Sequence, residues 1–222
     1  MDLYERLEEL REITRLLIDD QTLLRPLVGH LDPEPSDAMQ SYRRCYVRAA
    51  FALIEAFVEQ HRRLLLDLVE AGFITLPQPT LTILAEIREI PRPDGSIERR
   101  QRYLQIVNKI KEVYKAAGHG FGQPLAVTLG DEGWTAFQTA LELRNRVTHP
   151  KRLGECWITD EDLTATNQAS DWFKTLQNEF VRFARAHRNE NTVPRTLSGK
   201  GQKGNREWAL GAGKARGSEG VG

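Results

Sequence analysis

An arginine, an amide and a histidine lie within six residues of one another at the end of a predicted helix, in the segment Leu141–Pro150. They are Arg144, Asn145 and His149. A neutral histidine can accept a proton near pH 7, because its reference pKa is about 6.5. An arginine can hold two phosphate oxygens while negative charge develops on them. Since RNA supplies its own nucleophile, the 2′-hydroxyl, these residue types suit phosphodiester cleavage without a metal ion.

Arg144 continues an apolar stripe of this helix, which is predicted to begin near Asp131. The stripe advances by three, four and three residues: Trp134, Phe137, Leu141 and Arg144. Positions at this spacing share one face of a helix, so Arg144 should face the protein. An arginine there needs an acidic partner, a subunit interface or a functional pocket, because an unpaired buried charge is costly. Glu55, on an earlier predicted helix, is either that partner or simply solvated.

The same segment also has a purely structural explanation. Cations near the C-terminus of a helix are stabilised by the helix dipole, which would account for Arg144, Arg146 and His149. Pro150 disfavours helical geometry at the residue before it, so the last turn should open at His149 and free the imidazole. The residues alone therefore leave a helix end and a chemical site as alternatives.

Composition limits the classes of function. The chain has 222 residues, with 31 Lys plus Arg and 31 Asp plus Glu, so no overall field recruits a polyanion. A nucleic acid would have to bind a local basic patch. The five histidines are scattered singly, without the His or Cys spacings of a metal site. The sequence has neither a P-loop nor a Gly-x-Ser-x-Gly nucleophile motif, so we expect no metal and no cofactor.

The chain is expected to be cytoplasmic. No apolar run approaches the roughly 20 residues that cross a bilayer, so no membrane span is expected. The N-terminus is charged and amphipathic, unlike a secretory signal. Cys45 and Cys156 make no disulfide framework and should remain thiols in a reducing compartment.

The first part of the chain has helical periodicity. A helix is predicted over residues 3–19, followed by a linker over 20–35 whose breaking residues are Pro26, Gly29, Pro33 and Pro35. Ser36 is a candidate N-cap for a long helix that ends near residue 71. Two adjacent apolar ridges on this helix predict that it is the central core helix. Arg48 and Glu55 lie seven residues apart on it, close to the buried face.

The middle of the chain has a weaker pattern. Thr80–Ile90 fits either a short helix or part of a strand that leads into the turn Pro93-Asp94-Gly95. Ser96 can cap a helix that runs to Ala117 and carries a basic run: Arg99, Arg100, Arg102, Lys109, Lys111 and Lys115. Such a run is either a solvated face or a surface that follows a phosphate backbone. Gly118–Gly122 is predicted to be a connector.

The last part of the chain predicts one more helix and a tail. Thr159 and Asp162 predict a capped start for a helix that runs to about His187. From residue 191 glycines alternate with cations and apolar residues are sparse, so the tail should be disordered, with weak RNA contact or an inert role. We predict an all-α bundle of five to six helices over residues 1–190, with its core in 37–187, and a disordered tail over 191–222.

The segment Arg144-Asn145-Arg146-Val147-Thr148-His149 resembles the R-x4–6-H motif of the HEPN (higher eukaryotes and prokaryotes nucleotide-binding) superfamily. Asn145 occupies the polar position that commonly follows the arginine. The surroundings are also similar, with a Leu-rich helix before the motif, His-Pro at its end and Ile158–Leu163 opening the next helix. Arg48–Phe57 is similar to an earlier core helix of that family. The resemblance covers roughly residues 37–187 and is weakest over 73–130.

The resemblance implies a homodimer in which two Arg/His motifs meet in one composite cleft. Many HEPN members are metal-independent endoribonucleases of toxin–antitoxin, abortive-infection and antiviral systems, and others have kept the fold as a binding module. Carried onto this chain, Arg144 would stabilise the phosphate and His149 would act as general acid and base. Asn145 would orient the substrate or the histidine. The partners implied are RNA, a second copy of the chain and an antitoxin protein.

Further residues are assigned supporting parts in this interpretation. The cations Arg146, Lys151 and Arg152 are expected to contact RNA. Glu55 and Arg48 are expected to support the catalytic residues from the central helix. Lys151 stands where members paired with nucleotidyltransferase antitoxins usually carry a tyrosine, which argues against regulation by modification of that tyrosine.

Overall fold

The structure is a computed structural model that describes residues 3–28, 36–123 and 129–191, without the side chains of residues 3–7, 10 and 188–191. These ranges contain six α-helices and one β-hairpin: α1 (Leu3–Val28), α2 (Asp37–Glu70), α3 (Gln78–Leu84), β1 (Ile87–Pro91), β2 (Ile97–Gln101), α4 (Ile106–Gly120), α5 (Glu132–Thr148) and α6 (Asp160–Asn191). The predicted all-α bundle of five to six helices is confirmed. The predicted tail, from residue 192 onward, lies outside the described residues.

The long helix α2 is the centre of the bundle, as its two ridges predicted. It packs against α1, α3, α4, α5 and α6. Side chains from both ridges are buried: Tyr46, Val47, Ala50, Phe51, Ile54, Phe57, Val58 and Leu65. The helix begins where expected, because the Met39 backbone N–H donates to the Ser36 hydroxyl at 3.3 Å. The positions of α5 and α6 therefore depend on their contacts with α2.

The first helix is longer than predicted, because α1 continues to Val28. Pro26 lies in its last turn, where its missing N–H removes one helical hydrogen bond. Leu24 and Val28 pack on the core, so burial outweighs the weak helix propensity of this stretch. The linker prediction is wrong for residues 20–28, and residues 29–35 lie outside the described ranges.

Residues 97–101 form a strand, where the sequence predicted the start of a helix. Asp94 Oδ1 accepts hydrogen bonds from the Ser96 N–H at 2.9 Å and from the Ser96 hydroxyl at 2.6 Å. Ser96 therefore closes a turn and does not cap a helix. Gly95 adopts φ +78° in this turn, a conformation that favours glycine. The turn predicted at Pro93-Asp94-Gly95 is confirmed. The helix predicted from Ser96 to Ala117 has the wrong start, because it begins only at Ile106.

The basic run is consequently divided between the hairpin and α4. Arg99 and Arg100 lie on β2 and Arg102 follows it, whereas the lysines lie on α4: Lys109, Lys111 and Lys115. α4 ends at Gly120, so it contains part of the segment Gly118–Gly122 that was predicted to be a connector. Thr80–Ile90 contains both of its alternatives, the end of α3 and most of β1.

The two helices on either side of the candidate segment begin at capping residues. Asp131 accepts a hydrogen bond from the Trp134 N–H at 2.8 Å and starts α5. At the start of α6, the Asp162 N–H donates to the Thr159 hydroxyl at 3.2 Å and the Thr159 N–H donates to the Asp162 carboxylate at 3.0 Å. Six apolar side chains at helical spacing along α6 are buried: Leu163, Ala169, Phe173, Leu176, Phe180 and Phe183. Both predicted helix starts are confirmed.

α5 and α6 approach each other closely at Gly133. A Cβ atom at this position would lie 2.2 Å from Cδ1 of Trp172. We predict that Gly133→Ala lowers the free energy of unfolding by about 1–3 kcal/mol in urea denaturation, because overpacking displaces Trp172. In Gly154→Ala, the control, the new Cβ meets no atom within 4 Å and stability should hardly change. A Gly133→Ala protein as stable as the wild type would contradict this close packing.

The core contains a buried histidine, His61. Its ring stacks on Phe180 with the centroids 3.9 Å apart, and Nδ1 lies 2.9 Å from the Tyr114 hydroxyl. Burial lowers the pKa of His61 to about 3, because the charged imidazolium would lose its hydration. The folded protein therefore holds this imidazole neutral at pH 7.

Stability should fall as the pH drops below about 6.5, the pKa of an unfolded histidine. Between that pH and about 3, the unfolded chain binds a proton at His61 that the folded chain does not bind. From pH 7 to pH 5 the expected loss is roughly 2 kcal/mol in urea denaturation. Glu59 contributes only below about pH 4.5, because its folded pKa is about 2. His61→Phe should flatten the pH dependence between 7 and 5, and an unchanged slope would refute the assignment to His61.

Candidate functional site

α5 is held in place by its buried side chains: Trp134, Phe137, Ala140, Leu143 and Val147. Leu141 is only partly buried, and Arg144 lies beside it at the edge of the buried face. The Arg144 side chain is 25% exposed. The prediction that Arg144 faces the protein is therefore right in direction, although the centre of the buried stripe passes through Leu143.

Arg144 is oriented by three neighbours. Its NH2 group donates to Glu55 Oε1, and its NH1 group donates to Asn145 Oδ1 at 2.9 Å. The guanidinium carbon lies 6.0 Å from the centroid of the Phe51 ring. The acidic partner expected from the sequence, Glu55, is thus in contact with Arg144. The pair is only partly buried, because 39% of the Glu55 side chain is exposed.

Arg48 supports the end of the same helix without contacting Glu55 in the described structure. Its NH2 group donates to the Val147 backbone oxygen at 2.5 Å. Val147 is in the last turn of α5, where carbonyl groups lack helical partners. The backbone leaves helical geometry at His149, with φ −130° and ψ +59°, as expected before Pro150. Arg48 therefore ties α2 to the point at which α5 opens.

An open cleft of about 340 Å³ lies at this end of α5, lined by Asn145, Arg146, His149, Lys151 and Glu155. The His149 side chain is exposed, and no described residue forms a hydrogen bond with its imidazole. Four predicted site residues thus share one cleft. Arg144 reaches this group only through its hydrogen bond to Asn145. Arg152 is exposed outside the cleft lining, and Glu55 and Arg48 lie on the α2 side.

Two carboxylates bind groups that line the cleft, and no pattern in the sequence predicted these contacts. Asp162 accepts from the Arg146 NH2 group at 2.7 Å while it also caps α6. Glu155 accepts from the Lys151 backbone N–H at 2.6 Å. The capping signal identified Asp162 only as a helix start, and nothing in the sequence indicated that Arg146 binds it. Within the described residues, the His149 imidazole and the Lys151 ammonium form no hydrogen bond or ion pair with another side chain.

The base of this region is a buried contact between α2 and the start of α6. Gln40 donates to the Ile158 oxygen at 3.0 Å and accepts from the Ile158 N–H at 2.8 Å. Arg43 donates to the same oxygen at 2.9 Å and to Asp160 at 2.6 Å. These contacts hold residues 158–160, at the start of α6, against α2. They join residues more than a hundred positions apart, so periodicity could not reveal them.

Comparisons of this chain with protein-family models, with curated proteins and with solved structures give no match. Within residues 3–28, 36–123 and 129–191, no three His, Cys, Asp or Glu side chains are grouped as metal ligands. No helix in the described part of the chain is long and apolar enough to cross a membrane.

The energy of the Arg144–Glu55 pair can be measured by a double-mutant cycle of Arg144→Ala and Glu55→Ala. Because both groups are partly exposed, we predict a coupling of about 1 kcal/mol or less in thermal or urea unfolding. Breaking a fully buried pair would cost about 3–5 kcal/mol. Both single variants should therefore remain folded. A coupling energy in the buried range, or an unfolded Arg144→Ala protein, would show that the pair is chiefly structural.

Proposed function

We propose that this chain is a HEPN-like, metal-independent endoribonuclease. The proposal is supported by the cleft at the end of α5, where an exposed His149 stands beside Asn145, whose amide oxygen holds Arg144. An imidazole that can exchange protons with solvent and a guanidinium in a fixed orientation are the groups that 2′-hydroxyl chemistry needs. The resemblance of Arg144–His149 to the HEPN motif assigns the same residues.

The proposed reaction is an internal transfer of the phosphate. His149 removes the proton of a ribose 2′-hydroxyl, and the oxygen attacks the adjacent phosphorus. The bond from phosphorus to the 5′-oxygen of the next nucleotide breaks, and that oxygen takes a proton from the protonated imidazole of His149. The products are a 2′,3′-cyclic phosphate and a 5′-hydroxyl. Arg144 would stabilise the charge on the phosphate oxygens, and Asn145 would orient the guanidinium or the substrate.

The proposed enzyme acts as a homodimer. In one chain, Arg144 points to Glu55 and does not line the cleft that contains His149. A second copy facing this end of α5 would bring its own cations and histidine to the phosphate. Arg146, Lys151 and Arg152 would then contact the RNA on either side of the scissile bond. By the same resemblance, the protein would serve in the cytoplasm as a toxin or an antiviral, abortive-infection effector, with an antitoxin as a further partner.

RNA cleavage in excess EDTA tests this proposal. We expect the wild type to cleave and His149→Ala to lose roughly 10²–10⁴-fold in rate, the usual contribution of acid–base catalysis. Arg144→Ala should lose roughly 10²–10³-fold, as for one lost donor to the developing charge. Glu142→Ala, an exposed change on α5 outside the cleft, should leave the rate unchanged. Equal rates for the wild type, His149→Ala and Arg144→Ala would contradict the assignment.

A non-catalytic helical module that binds RNA or a protein partner is the second candidate. It is favoured by one observation, the engagement of Arg144 by Glu55 outside the cleft lining. In that case Arg144 would set the fold or a dimer, and its loss would lower the melting temperature markedly. A folded but inactive Arg144→Ala protein favours the enzyme, and an unfolded one favours the module.

A further inference from the structure

The β-hairpin presents most of its arginines on one face. Residues directly opposite in the two strands share a face, and Arg88 is opposite Arg100 while Ile90 is opposite Glu98. The ladder continues past β2, since the Arg102 N–H donates to the Glu86 oxygen at 2.7 Å. Side chains alternate along a strand, so this face carries four arginines: Arg88, Arg92, Arg100 and Arg102. Its acids are Glu98 and, at the base of the hairpin, the buried Glu86, which pairs with Lys109.

This face has more positive charge than the protein itself neutralises. Glu98 accepts from Arg100 at 2.6 Å and lies 3.1 Å from Arg92. Arg88 and Arg102 are exposed, and the described structure contains no carboxylate bound to either of them. Two arginines directly opposite each other repel, which is unfavourable for an isolated sheet. A polyanion bound across the pair would remove this penalty.

The hairpin is anchored close to the candidate catalytic residues. Lys109 Nζ lies 2.8 Å from Glu86, the residue before β1, and 3.2 Å from Glu59 on α2. Glu59 is one helical turn from Glu55, on the same face of α2 and about 6 Å along the axis. The Arg144 side chain binds Glu55. The anchor of the hairpin base, Glu59, and the partner of Arg144, Glu55, therefore lie on adjacent turns of one face of α2.

We infer that the hairpin is a second RNA-binding surface, which holds the phosphate backbone through Arg88, Arg100 and Arg102 and stacks an unpaired base on Tyr103. This inference rests on the proposed function, because it gives that enzyme a contact beyond the scissile phosphate. The side chain of Tyr103 is free for such stacking, being 80% exposed directly after Arg102.

The residue types favour RNA over an acidic protein. All of the cations on this face are arginines, whose planar groups bind phosphate with two parallel hydrogen bonds and also stack on bases. The exposed ring of Tyr103, the next residue in the chain after Arg102, can supply the stacking by which unpaired bases are recognised. An acidic protein surface would use the charges but would gain little from an isolated tyrosine.

The test is RNA binding by the full chain in a His149→Ala background, which prevents cleavage during the measurement. The probe is a labelled single-stranded RNA longer than the roughly 4–16 nucleotides that one single-strand-binding fold occupies. The hairpin variant replaces three arginines with alanine: Arg88, Arg100 and Arg102. We expect it to bind at least about 10-fold more weakly at moderate salt, with a slope of log K against log salt smaller by about 2.

Two further variants separate the parts of the inference. Tyr103→Ala should weaken binding about tenfold and leave the salt slope unchanged, because stacking is not ionic. A matched control removes the same charge from exposed positions on α1 and α6, with alanine at Arg11, Arg15 and Lys174, and should bind as the parent does. Equal affinity and slope for the hairpin variant and the control would overturn the inference.

The outcomes also distinguish this inference from the proposed function. A protein that binds RNA through the hairpin but cleaves none refutes the enzyme and supports the second surface. Cleavage with unchanged binding by the hairpin variant refutes the second surface alone. A protein that binds no RNA refutes the hairpin surface, and capture of an acidic protein by the hairpin in its place would identify the other class of partner.

Discussion

The contact between α2 and α5 determines the geometry of the candidate site. The rings of Phe51 and Phe137 lie 5.8 Å apart in the buried part of this contact. Two polar contacts continue it toward the surface, from Glu55 to Arg144 and from Arg48 to the Val147 oxygen. Burial of the aromatic rings supplies most of the energy, since a partly exposed ion pair contributes little. The polar contacts decide where the guanidinium points and where the helix ends.

The exposure of the Arg144–Glu55 pair bears on how the site would work. In a fully buried pair the guanidinium would serve only to stabilise the fold. Removing the arginine would then unfold the protein. A partly exposed pair holds the group in one orientation and leaves N–H donors for a phosphate. Such a fixed donor stabilises developing charge more effectively than a mobile one, because it needs no reorganisation during the reaction. The same partial exposure makes the structural and the catalytic roles separable by mutation.

The parts of the fold that the sequence predicted depend on local signals. Ser36, Asp131 and Thr159 each precede a helix and accept a hydrogen bond from an N–H two or three residues away, so their positions could be inferred. Ser96 is the same type of capping residue, but its N–H donates to Asp94 and the chain forms the turn of a hairpin there. α1 was predicted too short because burial of Val28, not propensity, extends it.

The candidate site likewise contains one contact that the sequence predicted and several that it did not. Glu55 could be named as the partner of Arg144 because both lie near the buried faces of their helices. The contacts of Asp162 with Arg146 and of Glu155 with Lys151 depend on how the chain folds between α5 and α6, which periodicity does not describe. The contact of Gln40 with Ile158 joins distant parts of the chain, and only the folded structure reveals it.

The most direct test of the proposed chemistry is an experiment that identifies the attacking nucleophile. An RNA that the protein cleaves should be compared with the same RNA carrying a single 2′-deoxyribose at the cleaved position. The account predicts a 2′,3′-cyclic phosphate from the first substrate and no cleavage at that position in the second, because the 2′-oxygen forms the new bond. Cleavage of both substrates at equal rates would contradict it.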